Sequence, residues 1–354
     1  MNREKSIFMM MAGLCLIFIL TSGAEARKKT IVLDHASWLP AVTPVNKLFP
    51  EFFKGLEEAT GGAVKTKLHS ASSMGPPAEH YNLVLNGLAD IAHLNPGFIP
   101  GIFPMLSMFE LPLHFNTAAE GSAAMHEMYK RGYFDKEFAN VKVLGLLCIN
   151  PYHIFWRDKK VVTVEDFKGL KVRSPGTGWS EIVKALGGVS VSAPTSEMYM
   201  MQQKGIVDGC WGPWEMIFSF KMNEVSKFVT ETYLVTVTHV WVMNKDSWQE
   251  LPQEAKDYLD KNSWVLASEK GPASMDDTVA PAKKLFLKTP GAEINPLPES
   301  ELDKMDELFA PIWAKWIADR EAKGLPAKKA LADLYDIFKG LGVKRPFIGY
   351  TPGH

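Results

Sequence analysis

Apolar and polar positions follow two different periods along the N-terminal part of the chain. Residues 30–36 form an apolar, β-branched run, which predicts a buried strand. Apolar side chains then recur at helical spacing over residues 45–56, and the glycine pair 61–62 marks the end of that helix. Pro50 lies inside the helical pattern, so we expect a kink there. Strands and helices that alternate in this way predict a parallel sheet covered by helices.

The same alternation returns in the second half of the chain. We predict strands at 170–173, 189–193 and 206–209, and helices at 178–186 and 196–204. Two long β-rich runs, 225–231 and 234–243, are suited to strands that cross between two lobes. Mainly helical patterns occupy 246–287 and 299–340. The chain is therefore predicted to belong to the α/β class.

The N-terminus carries the pattern of a secretory signal peptide. Arg3 and Lys5 precede an apolar run at 7–20, and the segment 24–26 supplies small residues where a signal peptidase cuts. We expect residues 1–26 to be removed and the mature protein to reach the periplasm. The apolar run is shorter than the roughly 20 residues that a membrane span needs, so no stable membrane insertion is expected. A retained N-terminal anchor is the alternative.

Charge and cysteine content exclude several classes of protein. The formal net charge is -1, and removal of residues 1–26 takes away two basic and two acidic side chains, so it stays at -1. A near-neutral chain has no electrostatic basis for binding nucleic acid. Cys148 and Cys210 remain after cleavage, and we expect two separate buried thiols, with a disulfide as the alternative. The mature chain, 354 minus 26 residues, exceeds one comfortable core and predicts two lobes.

A candidate binding residue, Arg173, stands at the end of the strand predicted at 170–173 and just before a turn. A guanidinium meets a carboxylate with two parallel hydrogen bonds and stays charged when it is desolvated. Arg173 is therefore predicted to anchor an acidic ligand. An ordinary ion pair with a neighbouring surface carboxylate is the alternative.

The segments that follow Arg173 resemble a known family. Their order runs from Glu197-Met198-Tyr199 through Gly-Ile-Val-Asp-Gly at 205–209 to Pro213-Trp214-Glu215. This order resembles the extracytoplasmic solute-binding proteins of TRAP transporters, which include the C4-dicarboxylate-binding proteins, and the resemblance covers nearly the whole mature chain. It implies that Arg173 holds a ligand carboxylate.

The resemblance also implies a two-lobed periplasmic-binding-protein fold with crossing strands, a long C-terminal helix and a ligand held between the lobes. Lobe one would span residues 27–149 with part of 241–285, and lobe two would span 150–240 with the C-terminal helices at 286–345. The implied function is capture of an organic acid for uptake through TRAP membrane subunits. A binding protein that feeds a membrane receptor is the alternative.

Strand ends that face such a cleft are the places where α/β proteins bind ligands. Several polar and aromatic residues lie at or near predicted strand ends. The candidate ligand contacts are Arg173, Trp211, Gly212, Trp214, His153, Asn95, Trp38, His35 and His239. Each has a structural alternative: a histidine or tryptophan of this set can belong to the core, and Asn95 can be a turn residue.

One position departs from the pattern of the family. Dicarboxylate and sialic-acid members commonly carry an asparagine where this chain has Gly212, between Trp211 and the segment 213–215. A polar contact is lost while two indoles lie nearby, and indoles offer large flat contact areas. We therefore expect an apolar or aromatic monocarboxylate as ligand, with a small dicarboxylate as the alternative.

Enzyme motifs are missing from the sequence. His126-Glu127 lacks the second histidine of a zinc-protease helix, and the glycines at 176 and 178 lack the third glycine of a dinucleotide-binding loop. There is no nucleophile-elbow pattern and no metal-ligand spacing of cysteines and histidines. We expect no enzymatic activity, no cofactor and no metal site. A secreted enzyme with an unrecognised active site is the remaining alternative.

Overall fold

The structure is a computed structural model that describes residues 30–174 and 176–353. The predicted signal peptide at 1–26 lies outside the described residues. The strands are β1 (Ile31–Ala36), β2 (Val64–His69), β3 (Ile91–Leu94), β4 (Lys142–Cys148), β5 (Tyr152–Trp156), β6 (Lys171–Ser174), β7 (Val189–Ser192), β8 (Gly209–Gly212), β9 (Phe228–Leu234), β10 (Thr238–Met243) and β11 (Glu293–Pro296). The α-helices are α1 (Phe49–Ala59), α2 (His80–Leu85), α3 (Ala118–Lys130), α4 (Thr177–Ala185), α5 (Met198–Gln203), α6 (Met216–Ser219), α7 (Lys245–Glu250), α8 (Gln253–Val265), α9 (Gly271–Asp276), α10 (Val279–Phe286), α11 (Glu299–Glu321) and α12 (Ala327–Gly340).

The first sheet has the strand order β2-β1-β3-β10-β4. Its strands are parallel except for β10, which runs antiparallel between β3 and β4. All residues of β3 and β10 are buried, as expected for strands covered on both faces. Because Leu94 pairs with Val240 and Cys148 with Thr238, the ends of β3 and β4 lie beside the start of β10 at one edge of the sheet.

The second sheet has the strand order β11-β9-β5-β8-β6-β7. Here β5 is the antiparallel strand, and it pairs with β8 on one side and β9 on the other. His153 lies opposite Gly212, so the start of β5 meets the end of β8. The carboxyl ends of β6 and β8 point to this same edge because the two strands are parallel.

Two short crossings join the sheets, between β4 and β5 and between β9 and β10, and a third connection returns the chain to the second sheet through the helices between β10 and β11. The two crossings lie side by side, since Tyr152 N donates to Val235 O at 3.0 Å and Ile149 N donates to Val237 O at 3.2 Å. The predicted α/β fold with two sheets and crossing strands is confirmed. The long C-terminal helix is α11, with 23 residues.

Two local predictions are wrong. Helix α1 begins at Phe49, which places Pro50 in the first turn, where the missing N–H leaves no hydrogen bond broken and no kink is needed. The strand predicted at 206–209 is instead β8, further along the chain. Ile206 N still donates to Met201 O, so this residue belongs to the turn that ends α5 rather than to a strand.

The sequence had suggested that all C-terminal helices pack on the second lobe, but in the structure they do not all pack there. Helix α11 contacts α4 beside the second sheet, whereas α12 packs against α3, which covers β4 of the first sheet. The rings of Phe338 on α12 and Phe115 stack with their centroids 5.4 Å apart. The apolar face of α12 was evident from the sequence, but the partner of that face was not. The first residues of β10, up to Val240, likewise belong to the first sheet.

The thiols of Cys148 and Cys210 are free and buried, which confirms the expectation of two separate thiols. Within residues 30–174 and 176–353, no helix is long and apolar enough to cross a membrane.

Candidate ligand-binding site

Two adjoining cavities lie between the facing edges of the two sheets, and we call them together the cleft. The larger has a volume of about 490 Å³ and is lined by Trp38 and Phe98 from the first lobe and by residues 192–196 from the second. The smaller, about 30 Å³, lies between Tyr152 and His239. Trp38, Thr195 and Phe220 line both cavities. The remaining walls of the smaller cavity are formed by Leu39, Thr43, Pro44, Val45, Ile149, Pro213, Glu215, Met216 and Met275.

Arg173, near the end of β6, is held rigidly beside the cleft. Its side chain is 1 % exposed. The Nε and Nη2 atoms both donate to the carbonyl oxygen of Ala193, at 2.9 and 2.7 Å, and Nη2 also donates to Thr195 Oγ1 at 3.1 Å. Ala193 and Thr195 line the larger cavity, so the guanidinium lies directly behind its wall.

The charge of Arg173 has no carboxylate partner in the part of the chain that the structure describes. All three hydrogen bonds go to neutral oxygens, and no Asp or Glu oxygen described lies within 4.0 Å. Burial lowers the pKa of the guanidinium, an effect opposed by Cys210, Tyr152 and Glu197. A buried and unpaired charge is costly by several kcal/mol, so this site favours an anion that enters from the cleft.

The first lobe contributes an aromatic wall. The Trp38 ring lies 5.6 Å from Phe98 and 5.5 Å from both His93 and His239. Neither ring nitrogen of His239 has a hydrogen-bond partner among the described residues, and neither does Trp38 Nε1. Burial lowers the pKa of His239 to about 3, so its imidazole is neutral near pH 7. The wall is therefore large, flat and uncharged.

Three residues at or behind the cleft were not predicted from the sequence: His93, Tyr152 and Glu215. His93 lies within the buried strand β3 and stacks on Trp241 at 4.5 Å, behind His239. Tyr152 lines the smaller cavity, where burial raises the pKa of its hydroxyl and the charge of Arg173 opposes the rise. The signal that could have indicated His93 was a histidine within an otherwise apolar strand. For Glu215, the signal was its position at the end of the family-like segment 213–215.

Glu215 is a buried carboxyl in the wall of the smaller cavity. It is 8 % exposed, and Ser219 Oγ donates to its Oε2 at 2.6 Å. Burial raises the pKa of this carboxyl to about 7, and the hydrogen bond from Ser219 opposes the rise.

Gly212 leaves room for a methionine. A Cβ atom built on Gly212 would lie only 1.7 Å from Met216 Sδ, so the thioether fills the volume that a side chain at this position would occupy. Met216 itself lines the smaller cavity. The place where the family resemblance led us to expect an asparagine is thus occupied by an apolar, polarisable group.

The two tryptophans predicted beside Gly212 are core residues instead. Trp211 is fully buried and packs edge-on against Trp179 at 5.8 Å. Trp214 Nε1 donates to Glu231 Oε1 at 3.0 Å, and its ring packs edge-on against Phe155 and Phe286. Neither indole lines the two cavities, because the pleat of β8 and the turn after it direct both into the second lobe.

Three other predicted contacts also lie outside the two cavities. His35 packs edge-on against Phe49 and Phe53 in the core of the first lobe. His153 lies on the opposite face of β5 from Tyr152, with its ring 4.8 Å from Tyr233. The side chain of Asn95 accepts a hydrogen bond from Gly97 N at 3.0 Å and so holds a turn. Of the predicted residues, Trp38 and His239 line the cavities. Arg173 lies behind the wall of the larger cavity, where it binds Ala193 and Thr195, and Gly212 lies behind Met216 of the smaller one.

Two α/β lobes around a cleft, with a buried arginine that has no acidic partner within residues 30–174 and 176–353, define a protein that binds an anionic solute. Residues 35–319 match the model of the bacterial extracellular solute-binding proteins, family 7, and the chain belongs to this family. It is a solute-binding protein of the TRAP type, as the sequence analysis predicted. Members of this family bind small organic acids outside the cytoplasm and work with membrane components.

Similar proteins are known from both sequence and structure. The C4-dicarboxylate-binding periplasmic protein of Rhodobacter capsulatus is 26% identical over 248 residues, which are 68% of this chain and 73% of that protein. A marine-metagenome TRAP solute-binding protein specific for aromatic acid ligands, solved with metahydroxyphenylacetate, has a TM-score of 0.81 at 28% identity and covers 88% of this chain and 99% of its own. A Rhodoferax ferrireducens protein with benzoate has a TM-score of 0.81 at 26% identity, with coverage of 88% and 99%. A Bordetella bronchiseptica protein with bound mandelate has a TM-score of 0.78 at 27% identity, again with coverage of 88% and 99%.

Proposed function

We propose that this protein captures an aromatic monocarboxylate in the periplasm and delivers it to the membrane subunits of a TRAP transporter. The observation that carries this proposal is the buried guanidinium of Arg173, which has no carboxylate partner in the described chain and lies behind the wall of the cleft. A ligand carboxylate would supply the missing negative charge through charge-assisted hydrogen bonds.

The rest of the cleft favours an aromatic body over a second charge. Trp38, Phe98, Phe220 and Met216 give the cavities apolar walls, and His239 is neutral. A second ligand carboxylate would be desolvated against these side chains at a cost of several kcal/mol. The similar proteins solved with benzoate, mandelate and metahydroxyphenylacetate support this ligand class.

Delivery to membrane subunits requires a change that a partner can recognise, and closure of the lobes supplies one. Residues from both lobes line the cleft, so a bound acid stabilises the closed arrangement. The lobes already approach closely at one point, since a Cβ atom on Gly176 would lie 3.2 Å from the carbonyl oxygen of Gly97. That oxygen belongs to the turn held by Asn95.

A thermal-shift and calorimetric screen tests the ligand class directly. We expect benzoate, mandelate and 3-hydroxybenzoate to raise the melting temperature, because a ligand that binds only the folded state stabilises it by mass action. Succinate and malate should bind more weakly. If succinate or malate binds more tightly than every aromatic acid, the proposed ligand class is wrong. The transport step is tested by uptake of the labelled acid in cells with and without the gene for this protein.

A further inference from the structure

The wall of the cleft contains a second ionisable group that has no partner of opposite charge in the described part of the chain. This group is an acid, whereas Arg173 is a base. Glu215 is buried and lines the smaller cavity together with Tyr152 and His239. No Lys, Arg or His nitrogen among the described residues lies within 4.0 Å of its carboxyl. Its single described hydrogen bond comes from Ser219 Oγ and engages Oε2 alone.

Other buried carboxyls of the chain are differently placed. Glu231 is 6 % exposed in its side chain, but it pairs with Lys283 and accepts from Trp214 Nε1. Glu301 pairs with Lys304 and accepts from Val164 N, and the half-buried Glu137 accepts from the backbone N–H groups of Met105 and Leu106. Glu110 also has an oxygen without a described partner, but it lines a different cavity together with Leu111 and Trp316. Among the described carboxyls, Glu215 is therefore the one that keeps a free acceptor oxygen on the cleft, and a largely desolvated acceptor is costly unless something in the cavity satisfies it.

We infer that Glu215 accepts a hydrogen bond from a hydroxyl group of the ligand while Arg173 holds the ligand carboxylate, so that the natural ligand is a hydroxylated aromatic acid. This inference rests on the proposed function and narrows its ligand class. The charges of Arg173 and Glu215 both act on the hydroxyl of Tyr152, so both groups lie near this residue of the smaller cavity.

A hydroxyl fits this wall better than an ammonium group. An ammonium carries three N–H donors and so needs two acceptors besides the free oxygen of Glu215. The neighbours Pro213, Met216 and Phe220 offer no side-chain oxygen, and the other polar side chains of this cavity are those of Thr43, Tyr152, Thr195 and His239. A hydroxyl has a single donor, and one free carboxyl oxygen satisfies it.

Two matched pairs of acids test the inference by calorimetry: benzoate with 3-hydroxybenzoate, and phenylacetate with mandelate. In the unaltered protein, the hydroxylated acid of at least one pair should bind about tenfold or more tightly than its partner, as a hydrogen bond to a charged group predicts. Glu215→Ala should abolish that preference, so that the two acids of each pair bind with affinities within about threefold of each other. Glu215→Gln keeps the shape and one acceptor oxygen, so it should retain part of the preference.

Glu137→Gln is the matched control, because it neutralises a half-buried carboxyl that lines neither cavity of the cleft and should leave every affinity unchanged. Melting curves of all variants establish that each variant is folded when its affinity is compared with that of the unaltered protein. The inference is wrong if Glu215→Ala still prefers the hydroxylated acid, or if the unaltered protein shows no preference in either pair. In both cases, binding of benzoate or phenylacetate would still support the proposed function. Tighter binding of phenylglycine than of mandelate also overturns it in favour of an ammonium. If none of these acids binds, the proposed function itself is wrong.

Discussion

Arg173 and Ala193 are joined by two hydrogen bonds, from Nε and Nη2 of the guanidinium to one carbonyl oxygen, at 2.9 and 2.7 Å. This backbone oxygen fixes the plane of the guanidinium without neutralising its charge. The site is therefore organised before any ligand arrives, and a ligand carboxylate does not have to order a flexible side chain. Preorganisation of this kind raises affinity because less conformational entropy is lost on binding.

The first prediction concerns Arg173 itself. Arg173→Ala should remove a charge-assisted interaction of roughly 1.5–3 kcal/mol and so weaken binding of the acid by about tenfold to more than a hundredfold. Arg173→Lys should restore only part of the affinity, because an ammonium cannot reproduce the planar fork held by Ala193. Calorimetry with benzoate measures both effects. Unchanged affinity in both variants would place the carboxylate elsewhere.

The second prediction separates the tryptophan of the cleft from those of the core. Trp38→Ala should weaken binding of an aromatic acid about tenfold, because a flat apolar wall is lost. Trp211→Ala and Trp214→Ala should each lower the free energy of unfolding by about 3–5 kcal/mol. Urea denaturation and calorimetry on all three variants measure these effects. An affinity loss in Trp214→Ala without a stability loss would contradict the placement of this indole.

The third prediction tests the contact between Gly212 and Met216. Gly212→Asn should destabilise the fold by about 1–3 kcal/mol, because the new side chain and the Met216 thioether compete for one volume. Met216→Ala should relieve part of this loss when the two substitutions are combined. A double-mutant cycle in urea measures the coupling, and strictly additive effects would show that the two side chains do not compete.

The fourth prediction concerns stability at acidic pH. Burial lowers the pKa of His35 to about 3, so the folded protein cannot take up the proton that the unfolded chain binds below its ordinary pKa near 6.5. The stability that this group contributes is present above pH 6.5 and is lost as the pH falls toward 3. The loss is about 1.4 kcal/mol per pH unit.

His35→Phe removes this titrating group from an aromatic environment. The difference in unfolding free energy between His35→Phe and the unaltered protein should therefore grow by about 1.4 kcal/mol per pH unit as the pH falls from 6 to 4. The buried carboxyls with raised pKa values, such as Glu215, act with the opposite sign between about pH 4.5 and 7, but they are common to both proteins and cancel in the difference. Parallel stability curves for the two proteins would refute the assignment.

Much of the fold could be predicted from the sequence because it depends on local periodicity. The strand at the start of the chain, the strand that carries Arg173 and the α/β alternation all follow from hydrophobic spacing and turn residues. Pro50 was misjudged because the sequence pattern did not reveal that the helix begins only one residue earlier. The partner of α12 could not be predicted, since an apolar helical face does not specify which other face covers it.

The sequence by itself determined that Arg173 ends a strand, that the chain carries almost no net charge and that a polar side chain is missing at Gly212. The tertiary structure alone decided which neighbours of these residues reach the cleft. Trp214 and Glu215 are adjacent in the chain, yet the indole packs into the second lobe and the carboxyl lines the cavity. Composition favoured the indoles as ligand contacts, but successive side chains of the chain point in different directions. The packing of Phe155 and Phe286 around Trp214 directs this indole into the core of the second lobe, and Glu215 is left to face the cavity.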